Sequence, residues 1–265
     1  MHFQGTPFWY ELGTSDLDAA SGFYARILGW QVAGSGMEGF DYRLARAGGD
    51  MVAGMMSNSG QVGSPPPNWL IYFAADDCDR TAAGIRAAGG TIWKEPADIP
   101  GTGRYAVAAD PQGAVFGLLQ PDLSRMSAED LAKAEAGGGA FDRKKAGHGN
   151  WNELMSTDPQ AAFGFYAGLF GWTKGDALDM GAMGTYQLVR HKGADIGAMM
   201  GLGNAPVPVW LAYFGVEDAV TKVVEAIAAL GGTVHHGPVE VPGPSWIAVA
   251  QDPQGAWFAV VGAQR

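Results

Sequence analysis

The sequence predicts an α+β protein made of two tandem domains, each holding two βαβββ modules. Three observations carry this prediction: a segment that occurs twice, a strand–helix–three-strand rhythm that runs four times, and one hairpin turn at two matching places. "WYELGTSDLDAASGFYARILGW" (9–30) returns as "WNELMSTDPQAAFGFYAGLFGW" (151–172), 142 residues on, with 12 of 22 positions identical. "NWLIYFAADD" (68–77) returns as "VWLAYFGVED" (209–218), and "DPQGAVF" (110–116) as "DPQGAWF" (252–258). The repeat predicts domains at 5–122 and 148–263, joined by a linker at 123–147.

Each element has a local reason. Phe8–Leu12 reads as a strand, and Asp16 is a helix N-cap. Ala20, Phe23, Tyr24 and Ile27 recur at i, i+3, i+4 and i+7, the stripe of a half-buried helix that Gly29 ends. Strands follow at Trp30–Ala33, Phe40–Ala45 and Met51–Met56. The cycle restarts with a strand at Trp69–Phe73, a cap at Asp77 and a helix striped by Cys78, Ala82, Ile85 and Gly89. Strands at Thr91–Trp93, Arg104–Ala108 and Ala114–Leu119 complete it. The "DPQG" between the last two is a turn with Asp at its first position and Pro fixing φ at its second. The second half repeats the order, and Val220, Val223, Val224 and Ile227 stripe its last helix. Ser127 opens a capping-box pattern in the linker, which predicts one short helix there. The glycines at 137–139 then loosen the chain.

Bulk composition excludes several classes. Hydrophobic residues make up 47% of the 265 and charged residues 17%, which suits packed cores and not disorder. Net charge is −10, and the one basic cluster, Arg143–Lys145, reads as solvated linker, so no nucleic-acid partner is expected. Cys78 is the single cysteine, which rules out an internal disulfide and a cysteine-rich zinc site. No apolar run has the length of a membrane span and no secretory signal pattern is visible, so no membrane partner and a cytoplasmic location are expected.

The four βαβββ modules, with "FYARILGW" and "FYAGLFGW" closing the first helix of each pair and D-P-Q-G hairpins near each end, resemble the vicinal oxygen chelate superfamily. That superfamily includes glyoxalase I, extradiol dioxygenases and bleomycin resistance proteins. The resemblance covers nearly the whole chain except the linker, and is nearest to tandem-domain, glyoxalase-like proteins of bacteria. It implies mixed sheets curled into cups that hold a ligand. It also implies four metal-ligand positions per domain: a His on the first strand of each module and a Glu on the last. At those positions this chain has Trp9, Trp69, Gly54 and Gly117, then Trp151, Trp210, Ala198 and Ala259. Indole N–H only donates, and Gly and Ala bring no ligand. No metal and no cofactor are therefore expected. A large ring opposite a tiny residue is also how a vacated cavity is refilled.

Glu11 and Glu153 lie two residues after strand tryptophans and share their face. Each is a candidate general base, an anchor for a cationic or hydroxylated ligand, or a structural carboxylate satisfied by backbone N–H groups, Tyr or Arg. Trp9, Trp69, Trp151 and Trp210 either line an aromatic pocket or fill core. Gly54, Gly117, Ala198 and Ala259 would stand opposite them in such a pocket. His148, His191, His235 and His236 lack chelating spacing. "GSGMEG" (34–39) opens no helix, so a dinucleotide reading fails its context. The paired Met55–Met56 and Met199–Met200 are core filler or adaptable pocket wall.

Three functions fit these residues: a metal-independent binder of an apolar or aromatic small molecule, a glyoxalase-like lyase or isomerase or dioxygenase-type enzyme, and an interaction protein with degenerate cups. The expected partner is a small-molecule ligand, and the expected assembly a monomer or homodimer.

Overall fold

A computed structural model describes residues 2–37, 39–58, 65–125, 127, 131 and 139–265. The first module is β1 (Pro7–Thr14), α1 (Leu17–Leu28), β2 (Gln31–Gly34), β3 (Tyr42–Ala47) and β4 (Asp50–Ser57). The second is β5 (Asn68–Ala74), α2 (Cys78–Ala87), β6 (Thr91–Ile99), β7 (Gly103–Ala109) and β8 (Val115–Pro121). The third is β9 (Gly149–Ser156), α3 (Pro159–Phe170), β10 (Thr173–Asp179), β11 (Thr185–His191) and β12 (Ala194–Gly201). The fourth is β13 (Val209–Gly215), α4 (Val220–Ala229), β14 (Thr233–Val241), β15 (Ser245–Gln251) and β16 (Trp257–Gly262). The βαβββ order thus runs four times. The expected linker helix lies outside the described residues apart from Ser127 and Leu131, where the Leu131 N–H donates to the Ser127 carbonyl at 2.9 Å. No helix among the described residues is long and apolar enough to cross a membrane.

Capping sets where the helices begin and end. The carboxylates of Asp16, Asp77 and Asp158 accept from the N–H groups of Ala19, Arg80 and Ala161, each three residues on. α1 and α3 stop at Gly29 and Gly171, at φ 69° and 68°, a conformation that favours glycine.

The strands build two eight-stranded sheets. Their orders are β2-β3-β4-β1-β5-β8-β7-β6 and β10-β11-β12-β9-β13-β16-β15-β14. The first and last strands of each module pair in parallel, and the others pair antiparallel, so both sheets are mixed. The helix of each module supplies the crossover that a parallel pair needs.

Compactness groups the modules differently from the sequence repeat. One unit is Met1–Phe8, Ile71–Gly138 and Trp151–Trp210, and the other is Trp9–Leu70, Gly139–Asn150 and Leu211–Arg265. The first unit joins the second and third modules, and the other unit joins the first and fourth.

The same contacts hold each unit. In the unit of the first and fourth modules, the Tyr24 hydroxyl on α1 donates to Asp252 Oδ2 at 3.0 Å and accepts from Trp69 Nε1 at 2.8 Å. Asp252 is the aspartate of the second "DPQG" turn, and its other oxygen accepts from the N–H groups of Gln254 and Ala256. In the unit of the second and third modules, Tyr166 donates to Asp110 Oδ2 at 3.1 Å and accepts from Trp210 Nε1 at 2.9 Å. Trp30 donates to the Gly147 carbonyl at 2.7 Å, and Trp172 to the Gly5 carbonyl at 2.9 Å. The helix motif of one repeat therefore binds the turn of the other, twice.

Tyr24 and Tyr166 are fully buried, and both aspartates are 3% exposed. Burial first, and the neighbouring carboxylate second, push both phenols well above their usual pKa. Each hydroxyl therefore stays protonated and keeps donating. Tyr24→Phe would leave a buried carboxylate oxygen and an indole N–H without their shared partner. We expect it to cost about 1–3 kcal/mol, read as a lowered urea midpoint at unchanged m-value. A change below about 0.5 kcal/mol, the range of neutral surface substitutions, would remove this contact from the account.

Candidate functional site

The opposite face of the sheets carries a second kind of relay. Along β1, Tyr10 and Leu12 are fully buried, whereas Trp9 and Glu11, on the other face, are only partly so. Trp9 Nε1 donates to the Tyr42 hydroxyl at 3.1 Å, and that hydroxyl donates to Glu11 Oε2 at 2.9 Å. Tyr42 is on β3 and Glu11 on β1, so the tyrosine must cross the intervening β4. The β4 residue in register with Glu11 is Gly54. A methyl group at position 54 would lie 1.8 Å from the Tyr42 hydroxyl oxygen. Glycine is there because the phenol occupies that space.

The third module repeats the arrangement. Trp151 Nε1 donates to the Tyr186 hydroxyl at 2.8 Å, which donates to Glu153 Oε2 at 2.7 Å. Ala198 stands in register with Glu153. Burial, with the glutamate charge second, raises the pKa of both phenols. Tyr42 and Tyr186 are thus hydrogen-bond donors fixed on carboxylates.

The two remaining tryptophans are placed differently. Trp69 is 6% exposed and packs edge-on against Tyr24 and Trp30. Trp210 is 4% exposed and packs against Tyr166 and Phe73. Both belong to the buried helix-side layer, so they do not join Trp9 and Trp151. The alternation of β5 and β13 instead gives that other face to Leu70 and Tyr72, and to Leu211 and Tyr213. Tyr72 is in register with Gly117, where a methyl group would lie 2.2 Å from the tyrosine ring, and Tyr213 is in register with Ala259. Every module thus sets a large residue beside a small one: Glu in the first and third, Tyr in the second and fourth. Sequence reasoning missed Tyr42, Tyr186, Tyr72 and Tyr213, although all four sit at matching places in the repeat.

Other candidates have structural partners. His148 is 2% exposed, with Nδ1 2.9 Å from the Ala146 carbonyl and Nε2 3.4 Å from Asp50 Oδ2. Burial, with the Lys192 charge second, lowers the pKa of His191 to about 4, and its Nε2 lies 3.3 Å from Thr6 Oγ1. His235 packs against Trp257 with ring centroids 4.2 Å apart and 31° between the planes. Met55 and Met199 are fully buried, and Met56 is partly exposed. A cleft of about 560 Å³ lies elsewhere, lined by Asp76, Asp98, Arg104 and Asp122 among others.

This architecture has known counterparts. The model described as Glyoxalase/Bleomycin resistance protein/Dioxygenase superfamily matches residues 6–118. The protein named "Putative glyoxylase CFP32" of Mycobacterium tuberculosis is 33% identical over 262 residues, covering 97% of this chain and 95% of its own. The "Anthracycline biosynthesis protein DnrV" of Streptomyces peucetius is 31% identical over 277 residues, covering 97% and 93%. The chain belongs to the glyoxalase/bleomycin resistance protein/dioxygenase superfamily. Among solved structures, the Mn(II)-bound glyoxalase from Novosphingobium aromaticivorans matches at TM-score 0.63 and 18% identity, over 99% of this chain and 83% of that one. The 2,3-dioxygenase LapB from Pseudomonas sp. KL28 matches at TM-score 0.65 and 14% identity, over 100% and 94%. These two show a shared fold.

The residues here do not fit a metal of the superfamily kind. Trp9, Trp151, Gly54, Gly117, Ala198 and Ala259 offer no ligating atom. The space beside Gly54 holds the Tyr42 hydroxyl, and the space beside Gly117 holds the Tyr72 ring. Among the described residues no group of three or more His, Cys, Asp or Glu could hold an ion. If Tyr42 is what fills the Gly54 space, Gly54→Ala should destabilise the protein by about 1–3 kcal/mol through overpacking. The same change in a Tyr42→Ala background should cost far less. Paired thermal melts of the four proteins test this, and equal cost in both backgrounds would contradict it.

Proposed function

We propose that the protein binds an apolar, aromatic small molecule without a metal, at the Trp–Tyr–Glu relays of the first and third modules. The observation that carries this reading is the relay itself, Trp9–Tyr42–Glu11, built a second time as Trp151–Tyr186–Glu153. It puts an indole at the first-strand ligand position of the first and third modules, yet keeps a carboxylate beside each. Rings give a ligand apolar contact area, and one carboxylate orients a hydroxyl or cationic group. A ligand of this kind also agrees with the name of the Streptomyces peucetius relative, "Anthracycline biosynthesis protein DnrV", an anthracycline being a polycyclic aromatic.

An enzymatic reading draws on Glu11 and Glu153 as bases. Its support is the glyoxylase name of the mycobacterial relative. The relay favours binding over this alternative: each phenol donates to its glutamate, which holds the carboxylate in place and occupies one of its oxygens.

Glutamine retains the shape of glutamate and still accepts from the tyrosine. Glu11→Gln or Glu153→Gln, at least one of them, should therefore leave the melting temperature unchanged or raised and weaken ligand binding. Thermal melts with a titration of quinizarin, a planar dihydroxyanthraquinone, check this. Clear destabilisation by both variants with quinizarin binding intact would make the two glutamates structural.

A further inference from the structure

The two relays are not equivalent, and the differences all favour one of them. Phe40 stands two residues before Tyr42, and its ring stacks on the Tyr42 ring at 6.1 Å between centroids and 21° between planes. It is 44% exposed, in the same loop as Met37 at 45%. The matching residue two before Tyr186 is Gly184, at φ 80° and ψ −149°, a backbone conformation that L side chains rarely adopt. The third module therefore presents no ring there. Its loop carries Met180 and Met183 instead, flexible chains with no plane to offer.

The floor and the exposure differ in the same direction. Gly54 lies in register with Glu11, whereas Ala198 adds a methyl group beside Glu153. Glu153 is 8% exposed, whereas Glu11 is only partly buried. The relay distances in the third module, 2.8 and 2.7 Å, are also shorter than the 3.1 and 2.9 Å of the first. The third-module relay has the more buried glutamate, although Trp151 and Tyr186 are partly exposed like Trp9 and Tyr42. The first-module relay has the more exposed glutamate, and the stacked pair of Phe40 and Tyr42 adds a second ring to it.

We propose that the first-module relay is the ligand site in use, and that Phe40 is the residue on which a planar aromatic ligand stacks. This rests on the ligand-binding reading above and narrows it to one relay and one ligand shape. An aromatic ring held parallel to a second ring, with much of its surface in water, is arranged to take a third flat ring in offset stacking. Leaving Phe40 and Met37 exposed together has a solvation cost that a bound flat ligand removes.

Quinizarin titrated into the full chain, followed by its visible absorbance, tests the proposal. Wild type should bind one equivalent per chain. Phe40→Ala should weaken binding by about ten-fold, from lost stacking and lost apolar contact. Phe40→Trp should preserve it, and Phe40→Leu, apolar but not planar, should fall with alanine. Phe40 is exposed, so melting temperatures should stay at the wild-type value and confirm that each variant is folded. Two equivalents of equal affinity would overturn the proposal, as would wild-type binding by Phe40→Ala or Phe40→Leu. If Phe40→Ala instead changes the sedimentation of the protein and leaves quinizarin binding alone, the exposed loop is a contact between copies and the proposal fails. Loss of binding in Glu11→Gln with none in Phe40→Ala would remove this inference and leave the ligand-binding reading standing. No binding of quinizarin by wild type would overturn both.

Discussion

The structure depends on one buried interaction made twice: a tyrosine hydroxyl held between an indole N–H and a turn aspartate. Tyr24 joins Trp69 to Asp252, and Tyr166 joins Trp210 to Asp110. Each aspartate is already held by the backbone of its own hairpin, so the tyrosine meets a fixed acceptor. Burying these groups is unfavourable unless every donor and acceptor is matched, which makes the arrangement demanding in geometry. The match also sets which modules share a compact unit. In each unit the helix tyrosine of one repeat donates to the turn aspartate of the other. Trp30 on Gly147 and Trp172 on Gly5 repeat the same exchange at the ends of those helices.

The relays on the other face of the sheets follow the same grammar with a different outcome. Indole donates to phenol, and phenol donates to carboxylate, but the carboxylate is now a glutamate on a central strand and the rings are only partly buried. In the helix-side layer the trio locks the fold. On the other face it occupies positions where the superfamily resemblance implies metal ligands, and it leaves aromatic surface within reach of solvent. The alternation of a β-strand allows both in one segment: on β1, Tyr10 and Leu12 serve the core while Trp9 and Glu11 serve the opposite face.

Much of this was legible in the sequence, and the rest was hidden for physical reasons. The aspartate caps, the closing glycines and the D-P-Q-G turns act locally, so their spacing gave the βαβββ order. The absence of metal-ligating side chains at the resemblance-implied positions was equally plain. Trp69 and Trp210 were harder. β5 reads N-W-L-I-Y-F-A, nearly continuous in apolar residues, and such a run carries no alternation from which a face could be assigned. The tryptophan of β5 thus looked like the twin of Trp9, although Leu70 holds that place. Tyr42 stood out less than Trp9 because its role depends on reaching over Gly54, a contact between strands that one sequence does not display. The pairing of Tyr24 with Asp252 spans most of the chain and is invisible for the same reason.

With indole and phenol rings around Glu11 and Glu153, neither relay should hold the metal ion that the superfamily resemblance implies. Calorimetric titration of Mn(II) alone into chelator-treated protein tests it most directly. The wild type should give no saturable heat, because a single carboxylate beside a protonated phenol is too poor a donor set to hold the ion. One equivalent of saturable Mn(II) binding per chain that disappears in Glu11→Gln would contradict it.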